Sequence, residues 1–331
     1  MSTKTKVAPK PKAAAPKATA PVPSKPRHFL DLSEIEPKVL RRMIDNAHAM
    51  KAAGRRAPAN LRPDGIEDLV LIMIFTKPST RTRISFDLAM RQLGGQSLSP
   101  LNAGDLQLGR GESIADTARV MSRYGDVIML RGNAHSDLLD LANNATVPVI
   151  NGLTDFSHPC QIMADIVTFE ESCRRIEGAT VAWVGDGNNV ATSWIHAACQ
   201  FGFKIRLGVP PQLNPDNAVL GWAANRGCDI TLTDDPAEAV RGADCVVTDT
   251  WVSMGQTDAT WRKQLLGPYQ VDDALMRQAK PDAIFLHDLP AYRGNEVTAE
   301  VIDGPQSRVW DEAENRLHAQ KAILAWCLGK D

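Results

Sequence analysis

Apolar positions along this chain follow two rhythms, and each predicts a different element. Val39, Leu40, Met43, Ile44, Ala47 and Met50 recur at three- and four-residue spacing, with Pro37 suited to a first helical turn. Residues 69–75 are instead an unbroken apolar run of strand length, which reads as a strand buried on both faces. A polar turn follows, then a helix over about 82–93 stopped by Gly94-Gly95. Short strands are predicted at 126–130 and 147–150, and a helix at 158–171. The second half repeats the style. A strand at 180–184 precedes a helix at 189–201, and strands at 204–209, 229–232, 245–248 and 283–286 follow with helical stretches between. A last helix over about 315–328 offers Leu317, Ile323, Leu324 and Trp326 for packing. Strand–helix alternation of this kind implies an α/β fold, parallel sheets flanked by helices, with ligands at the carboxyl ends of the strands. At 331 residues the chain is about two domains long on a scale of ~150 each. Its longest apolar run falls far short of the ~20 residues that span a bilayer, so no membrane partner is expected.

The pattern stops at the amino end. Residues 1–26 hold six Lys, six Pro and six Ala, with no Asp or Glu. Such a stretch cannot bury enough apolar surface to offset its ordering entropy, so a disordered tail over 1–27 is expected. It lacks the apolar core of a secretory signal and the Arg-rich amphipathic helix of a mitochondrial one. It reads as a solvated basic extension, or as a weak electrostatic tether to an acidic partner. The formal charge of −2 becomes about −8 once those six lysines are subtracted (−2 minus 6). A body that acidic is a poor match for nucleic-acid phosphates. The cysteines at 160, 173, 199, 228, 245 and 327 form no C-x-x-C pair. Neither a zinc site nor a disulfide framework is suggested, and reduced thiols in the cytoplasm are expected.

Chemistry is expected where the first buried strand ends. There Thr76-Lys77-Pro78-Ser79-Thr80-Arg81-Thr82-Arg83 leads into a helix. Free backbone amides and the helix dipole favour an anion at such a terminus, and arginines add bidentate forks for phosphate. The alternative is a capped helix with surface arginines. The octet lacks G-x-x-x-x-G-K-[ST], so it is not a nucleotide P-loop. Arg131 follows the strand at 126–130 and would project its charge into the same crevice. In His158-Pro159-Cys160-Gln161, Pro159 fits a first helical position and places His158 and Gln161 on one face. His158 could polarise a carbonyl, and Gln161 could both donate and accept.

Together these motifs resemble the carbamoyltransferases, the aspartate and ornithine transcarbamylases and their relatives, over nearly all of residues 28–331. Cys160 resembles the ornithine branch, as does Asp249-Thr250-Trp251-Val252-Ser253-Met254-Gly255. Gly185-Asp186-Gly187-Asn188-Asn189 after a strand also matches. The resemblance implies transfer of a carbamoyl group from carbamoyl phosphate to the δ-amine of L-ornithine, giving L-citrulline and phosphate in arginine metabolism. It implies two Rossmann-like α/β domains with the C-terminal helix returning to the first. Residues 28–167 with 311–331 would bind carbamoyl phosphate, and 168–310 ornithine. It implies a homotrimer or a multiple of one, and no metal or organic cofactor. By motif, Ser79, Thr80, Arg81, Thr82 and Arg131 would hold the phosphate, with Gln107 reaching a neighbouring subunit's site and Arg316 adding a contact. His158 and Gln161 would hold the carbamoyl carbonyl and amide. Asn189, Asp249, Ser253, Met254, Asp288 and Leu289 would hold ornithine. Arg131, His158 and Asp288 would be the catalytic groups.

One position departs from the family pattern. The ornithine branch carries His-Cys-Leu-Pro where this chain has His287-Asp288-Leu289-Pro290. A second carboxylate near the attacking amine favours the ammonium form, yet a carboxyl pair could supply a proton acceptor. Alternatively, the Leu289 carbonyl does the binding and Asp288 is tolerated. Three rival readings stand beside the main one. Gly185-Asp186-Gly187 could open a dinucleotide loop, although Val190 occupies the third glycine position and no ribose-binding acid ends the strand at 204–209. The chain could bind carbamoyl phosphate without turnover, or it could carbamoylate another amine.

Overall fold

The computed structural model describes residues 25–98, 101–102, 111–252 and 258–330. The first lobe opens with α1 (Pro37–Ala52), which buries Leu40, Met43, Ile44, Ala47 and Met50 along the predicted stripe. β1 (Val70–Phe75) leads into α2 (Thr80–Leu93), capped by Ser79 and ended by Gly94 at φ 110°. Short β2 (Gln96–Ser97) and β3 (Leu101–Asn102) both pair with β1. Then come α3 (Ile114–Met121), β4 (Val127–Arg131), α4 (His135–Asn144), β5 (Val149–Leu153) and α5 (Pro159–Ser172). The sheet runs β2-β1-β4-β5, all parallel, with β3 also on β1.

The unbroken apolar run of β1 has a simple cause. Leu71, Met73 and Phe75 point to the core shared with α1, α2 and α5, while Ile72 and Ile74 point to the core beneath α4. Alternate residues thus serve opposite faces of a sheet covered on both sides.

The second lobe contains β6 (Thr180–Val184), α6 (Asn189–Phe201), β7 (Lys204–Gly208), α7 (Asn217–Ala224), β8 (Ile230–Thr233) and α8 (Pro236–Val240). It continues through β9 (Cys245–Val247), α9 (Ala259–Leu266), α10 (Asp273–Met276), β10 (Ile284–Leu286) and α11 (Ala299–Ile302). The strand order is β10-β9-β6-β7-β8, again all parallel, so the direction of winding reverses between β6 and β9. A crevice at the carboxyl ends of such a pair is where open sheets of this type bind ligands.

α12 (Val309–Cys327) leaves the second lobe beside β10 and packs on α5, α2 and α1 of the first. It begins at Val309 rather than near 315 because its first turns bury polar side chains, Glu312, Asn315 and Arg316, which carry no apolar period. Arg131 closes β4 instead of following it, and His158 caps α5 instead of joining it. The cysteine reading needs correction. Cys199 of α6 and Cys228 before β8 are joined as a disulfide with Cα atoms 5.2 Å apart, while Cys160, Cys173, Cys245 and Cys327 are free. The fold brings together two thiols that sequence spacing leaves unrelated. No helix among the described residues is long and apolar enough to cross a membrane.

Candidate active site

The parallel register of β1 and β4 pairs Phe75 with Arg131, so the strand ends deliver the 76–79 turn and a guanidinium to one place. Ser79 Oγ accepts the Thr82 backbone N–H at 3.3 Å, fixing the first turn of α2. Thr82 is fully buried, and its Oγ1 accepts from Arg131 Nη1 at 3.0 Å and from Arg316 Nη2, on α12, at 2.8 Å. Arg81 points across the crevice and donates through Nη2 to the Leu289 carbonyl. None of these three arginines makes an ion pair with a carboxylate among the described residues, and the Nε atoms of Arg131 and Arg316 are buried without a hydrogen-bond partner there. Burial, then the charge of Arg316, pushes Arg131 down to about 10. A dianion is the natural complement of such a cluster at a helix N-terminus.

His158 and Gln161 line the same space. Pro159 at the first position of α5 sets the turn, and the His158 backbone N–H donates to Ser193 Oγ of α6 at 2.7 Å. The imidazole is buried, and burial followed by the charges of Arg316, Arg131 and Arg81 holds its pKa well below the ordinary value. It is therefore a neutral ring, able to donate one hydrogen bond to a carbonyl oxygen without adding a fourth cation. Gln161 Oε1 accepts from Arg316 Nη1, and its Nε2 donates to Asp165 at 2.8 Å and to Glu312 at 2.9 Å. Cys160 faces away and donates to the Asn151 carbonyl at 3.2 Å; burial pushes its thiol up to about 12, so it is inert.

The second lobe supplies the opposite wall from the point where its winding reverses. Asn188 caps α6 and donates through Nδ2 to Asp249 Oδ2 at 2.7 Å, while the Thr250 N–H donates to Asp249 Oδ1 at 2.6 Å. Asn189 Nδ2 donates to the Thr154 carbonyl of the first lobe at 2.7 Å. After β10, the His287 N–H donates to Glu312 Oε2 at 2.9 Å, and Leu289 adopts φ 58°. That left-handed conformation is strained for a non-glycine residue, and it turns the Leu289 carbonyl toward Arg81. Asp288 and Asp249 face each other, with one carboxyl oxygen of each within 4.8 Å of the other. Both carboxyls are raised, Asp249 well above its usual value, by burial first and for Asp249 then by the charge of Asp288. Both shifts oppose the pair carrying two negative charges at once. Asp288 Oδ1 is buried with no hydrogen-bond partner among the described residues.

Asp249, His287 and Asp288 are also a group whose donor atoms lie within 4.8 Å of one another. They suit a metal poorly, because both ring nitrogens of His287 and both oxygens of Asp249 are already engaged. His287 Nδ1 accepts the Leu289 N–H at 3.0 Å, its Nε2 faces Glu296 at 3.4 Å, and both Asp249 oxygens take N–H donors.

Of the residues expected from sequence, Ser79, Thr80, Arg81, Thr82, Arg131, His158, Gln161 and Arg316 gather around the α2 terminus. Asn189, Asp249, Asp288 and Leu289 face them. Gln107, Ser253 and Met254 lie outside the described residues. Sequence reading missed Asp165 and Glu312, both buried behind Gln161. Their spacing was a usable signal: Asp165 stands four residues after Gln161 and Glu312 four before Arg316, one helical turn in each case.

Residues 27–171 match the family model described as "Aspartate/ornithine carbamoyltransferase, carbamoyl-P binding domain". Residues 177–327 match its companion, the "Asp/Orn binding domain". The chain is 60% identical over 306 residues to the ornithine carbamoyltransferase of Rhodopseudomonas palustris strain BisA53, covering 92% of this chain and 98% of that one. It is 62% identical over 307 residues to the protein of the same name from strain CGA009 of that species, covering 92% and 97%. Among solved structures it resembles the ornithine carbamoyltransferase of Pyrococcus furiosus, with TM-score 0.85, 49% identity and coverage of 92% and 97%.

Proposed function

The chain belongs to the aspartate/ornithine carbamoyltransferase family, and on that premise we propose that it transfers the carbamoyl group of carbamoyl phosphate to the δ-amine of L-ornithine. The observation that carries this reading is the pairing of opposites across one crevice: three arginines with no carboxylate partner among the described residues, gathered at a helix N-terminus, face a close pair of buried carboxyls. The arginines suit a phosphorylated donor, and the carboxyls suit an amine.

In this reading the phosphate rests on Ser79, Thr80, Arg81 and Thr82, with Arg131, Arg316 and Gln107. The carbamoyl oxygen receives hydrogen bonds from Arg131, His158 and Thr82, and the carbamoyl NH2 meets Gln161. Asn189, Asp249, Ser253, Met254 and the backbone of Leu289 hold ornithine. Its δ-nitrogen attacks the carbonyl carbon, a C–N bond forms, and the anhydride bond from that carbon to the bridging phosphate oxygen breaks. Charge on the carbamoyl oxygen in the tetrahedral state meets donors fixed in advance. The amine gives up its proton to the Asp249–Asp288 carboxyl pair, and phosphate leaves against the arginines. Holding both substrates in line supplies the gain of proximity.

The same reading assigns residues 28–167 with 311–331 to carbamoyl phosphate and 168–310 to ornithine. A homotrimer, or a multiple of one, fits the apolar stripe on the outer face of α2, where Ile84 is 52% and Leu88 40% exposed, with Leu98 close in sequence at 45%. A cytoplasmic place in arginine biosynthesis completes it. Purified protein supplied with carbamoyl phosphate and L-ornithine from pH ~6 to ~10 should form citrulline. No citrulline at any pH would overturn the assignment.

A further inference from the structure

Gln161 is held in one orientation from two sides. Arg316 Nη1 meets its side chain on the crevice side, and a guanidinium has only donors, so the atom facing it must be the carbonyl oxygen. On the far side both amide hydrogens are taken, one by Asp165 Oδ1 and one by Glu312 Oε1. Asp165 and Glu312 are each 1% exposed. An inverted amide would set Nε2 against the guanidinium, so both sides favour the same orientation. Gln161 therefore has no hydrogen left to donate into the crevice. What it offers there is the second lone pair of Oε1.

Resting on the carbamoyl-transfer reading, we propose that Asp165 and Glu312 are positioning residues that make Gln161 a pure acceptor, and that this acceptor selects a carbamoyl over an acyl phosphate. Carbamoyl and acetyl phosphate have nearly the same shape and charge, and differ in NH2 against CH3. A phosphate cradle cannot tell them apart. A buried oxygen that needs an N–H can, because the methyl leaves it unpaired. Both acids are second to the ligand, since neither reaches it except through Gln161. Glu312 has a further task. Its Oε2 accepts the His287 N–H, so one side chain fixes both the donor-side amide and the strand end that carries Asp288.

The test is equilibrium binding of three probes to the full chain: carbamoyl phosphate, acetyl phosphate and inorganic phosphate. The wild-type protein should bind acetyl phosphate at least about tenfold more weakly than carbamoyl phosphate. Asp165→Asn and Glu312→Gln each replace a carboxyl acceptor of the Gln161 amide by a neutral amide, which loosens one of the two holds on its orientation. Either variant should shrink that ratio severalfold or more while leaving inorganic phosphate affinity within about twofold. A ratio near one in the wild type overturns the proposal without any variant, which covers the case in which both variants fail to fold. An unchanged ratio in a folded variant, or an equal loss for all three probes, also overturns it. Failure of the wild-type protein to bind carbamoyl phosphate at all would instead sink the parent reading.

Discussion

Replacing Asp288 by cysteine restores the family pattern and tests what the second carboxyl does. One carboxyl oxygen each of Asp249 and Asp288 and one ring nitrogen of His287 lie within 4.8 Å of one another. An amine between them feels up to one more negative charge than it would beside Asp249 alone. A unit charge at ~4 Å is worth roughly 4 kcal/mol at an effective dielectric near 20. The charges of Arg316 and Arg81 oppose it from across the crevice. We therefore expect a net effect of about 1–3 kcal/mol, which is about one to two pH units. The sign follows from the reacting form. Alkyl amines ionise near pH ~10.4, attack requires the free base, and an added carboxylate favours the ammonium. Asp288→Cys should thus move the alkaline-rising limb of kcat down by about one to two pH units and raise turnover near pH ~7. The assay is citrulline formation at saturating substrates across the pH range for both proteins. Superimposable profiles would refute the reasoning and leave the Leu289 backbone as the part of this segment that matters. A large loss at every pH would instead show Asp288 to be indispensable as the proton acceptor.

Other consequences are as direct. Thr82→Val removes the oxygen shared by Arg131 and Arg316, and should weaken carbamoyl phosphate binding about tenfold or more by calorimetry, since hydrogen bonds to charged groups are worth ~1.5–3 kcal/mol. Cys160→Ala should keep activity within about twofold and cost about 1 kcal/mol in urea unfolding, because the thiol is buried and unionised. Burial lowers Lys321 to about 8, although its ammonium donates to Gln92 at 3.1 Å. A lysine depressed in the folded state binds protons more tightly once unfolded, so stability should rise with pH between ~8 and ~10.4. Lys321→Met should therefore stabilise the protein by about 1–3 kcal/mol near pH ~7, with the gain gone above pH ~10.4, as read by unfolding at the two pH values.

How much of this was legible in sequence depended on whether burial leaves an apolar trace. β1 was visible because both of its faces are buried in aliphatic contacts, and α6 because Asn188 caps its start and Gly202 ends it in the left-handed region. α3 and α4 were not placed, since each buries only two or three side chains and the rest of each is polar. The opening of α12 was hidden by Glu312, Asn315 and Arg316, which look like a solvated face yet are buried. The phosphate motif was readable because its side chains follow one another along the chain. Asp165 and Glu312 stood one helical turn from Gln161 and Arg316, yet that they meet at Gln161 from different helices is visible only in the fold. The Cys199–Cys228 pairing was equally invisible, since a Cα separation of 5.2 Å has no counterpart in a gap of 29 residues.

The return of α12 to the first lobe also bears on the order in which the protein can be made. The first lobe emerges from the ribosome early, but α1, α2 and α5 face it with a wall that only residues near the carboxyl end can cover. Ala319, Ala322, Ile323 and Leu324 belong to the same core as Leu40, Met43 and Phe86. Until synthesis ends, that apolar surface stays open, and an amino-terminal half expressed by itself should be prone to aggregate. A premature stop a few residues before Ile323 would do more than shorten the chain, because it would leave the earliest-made half without the piece that closes it.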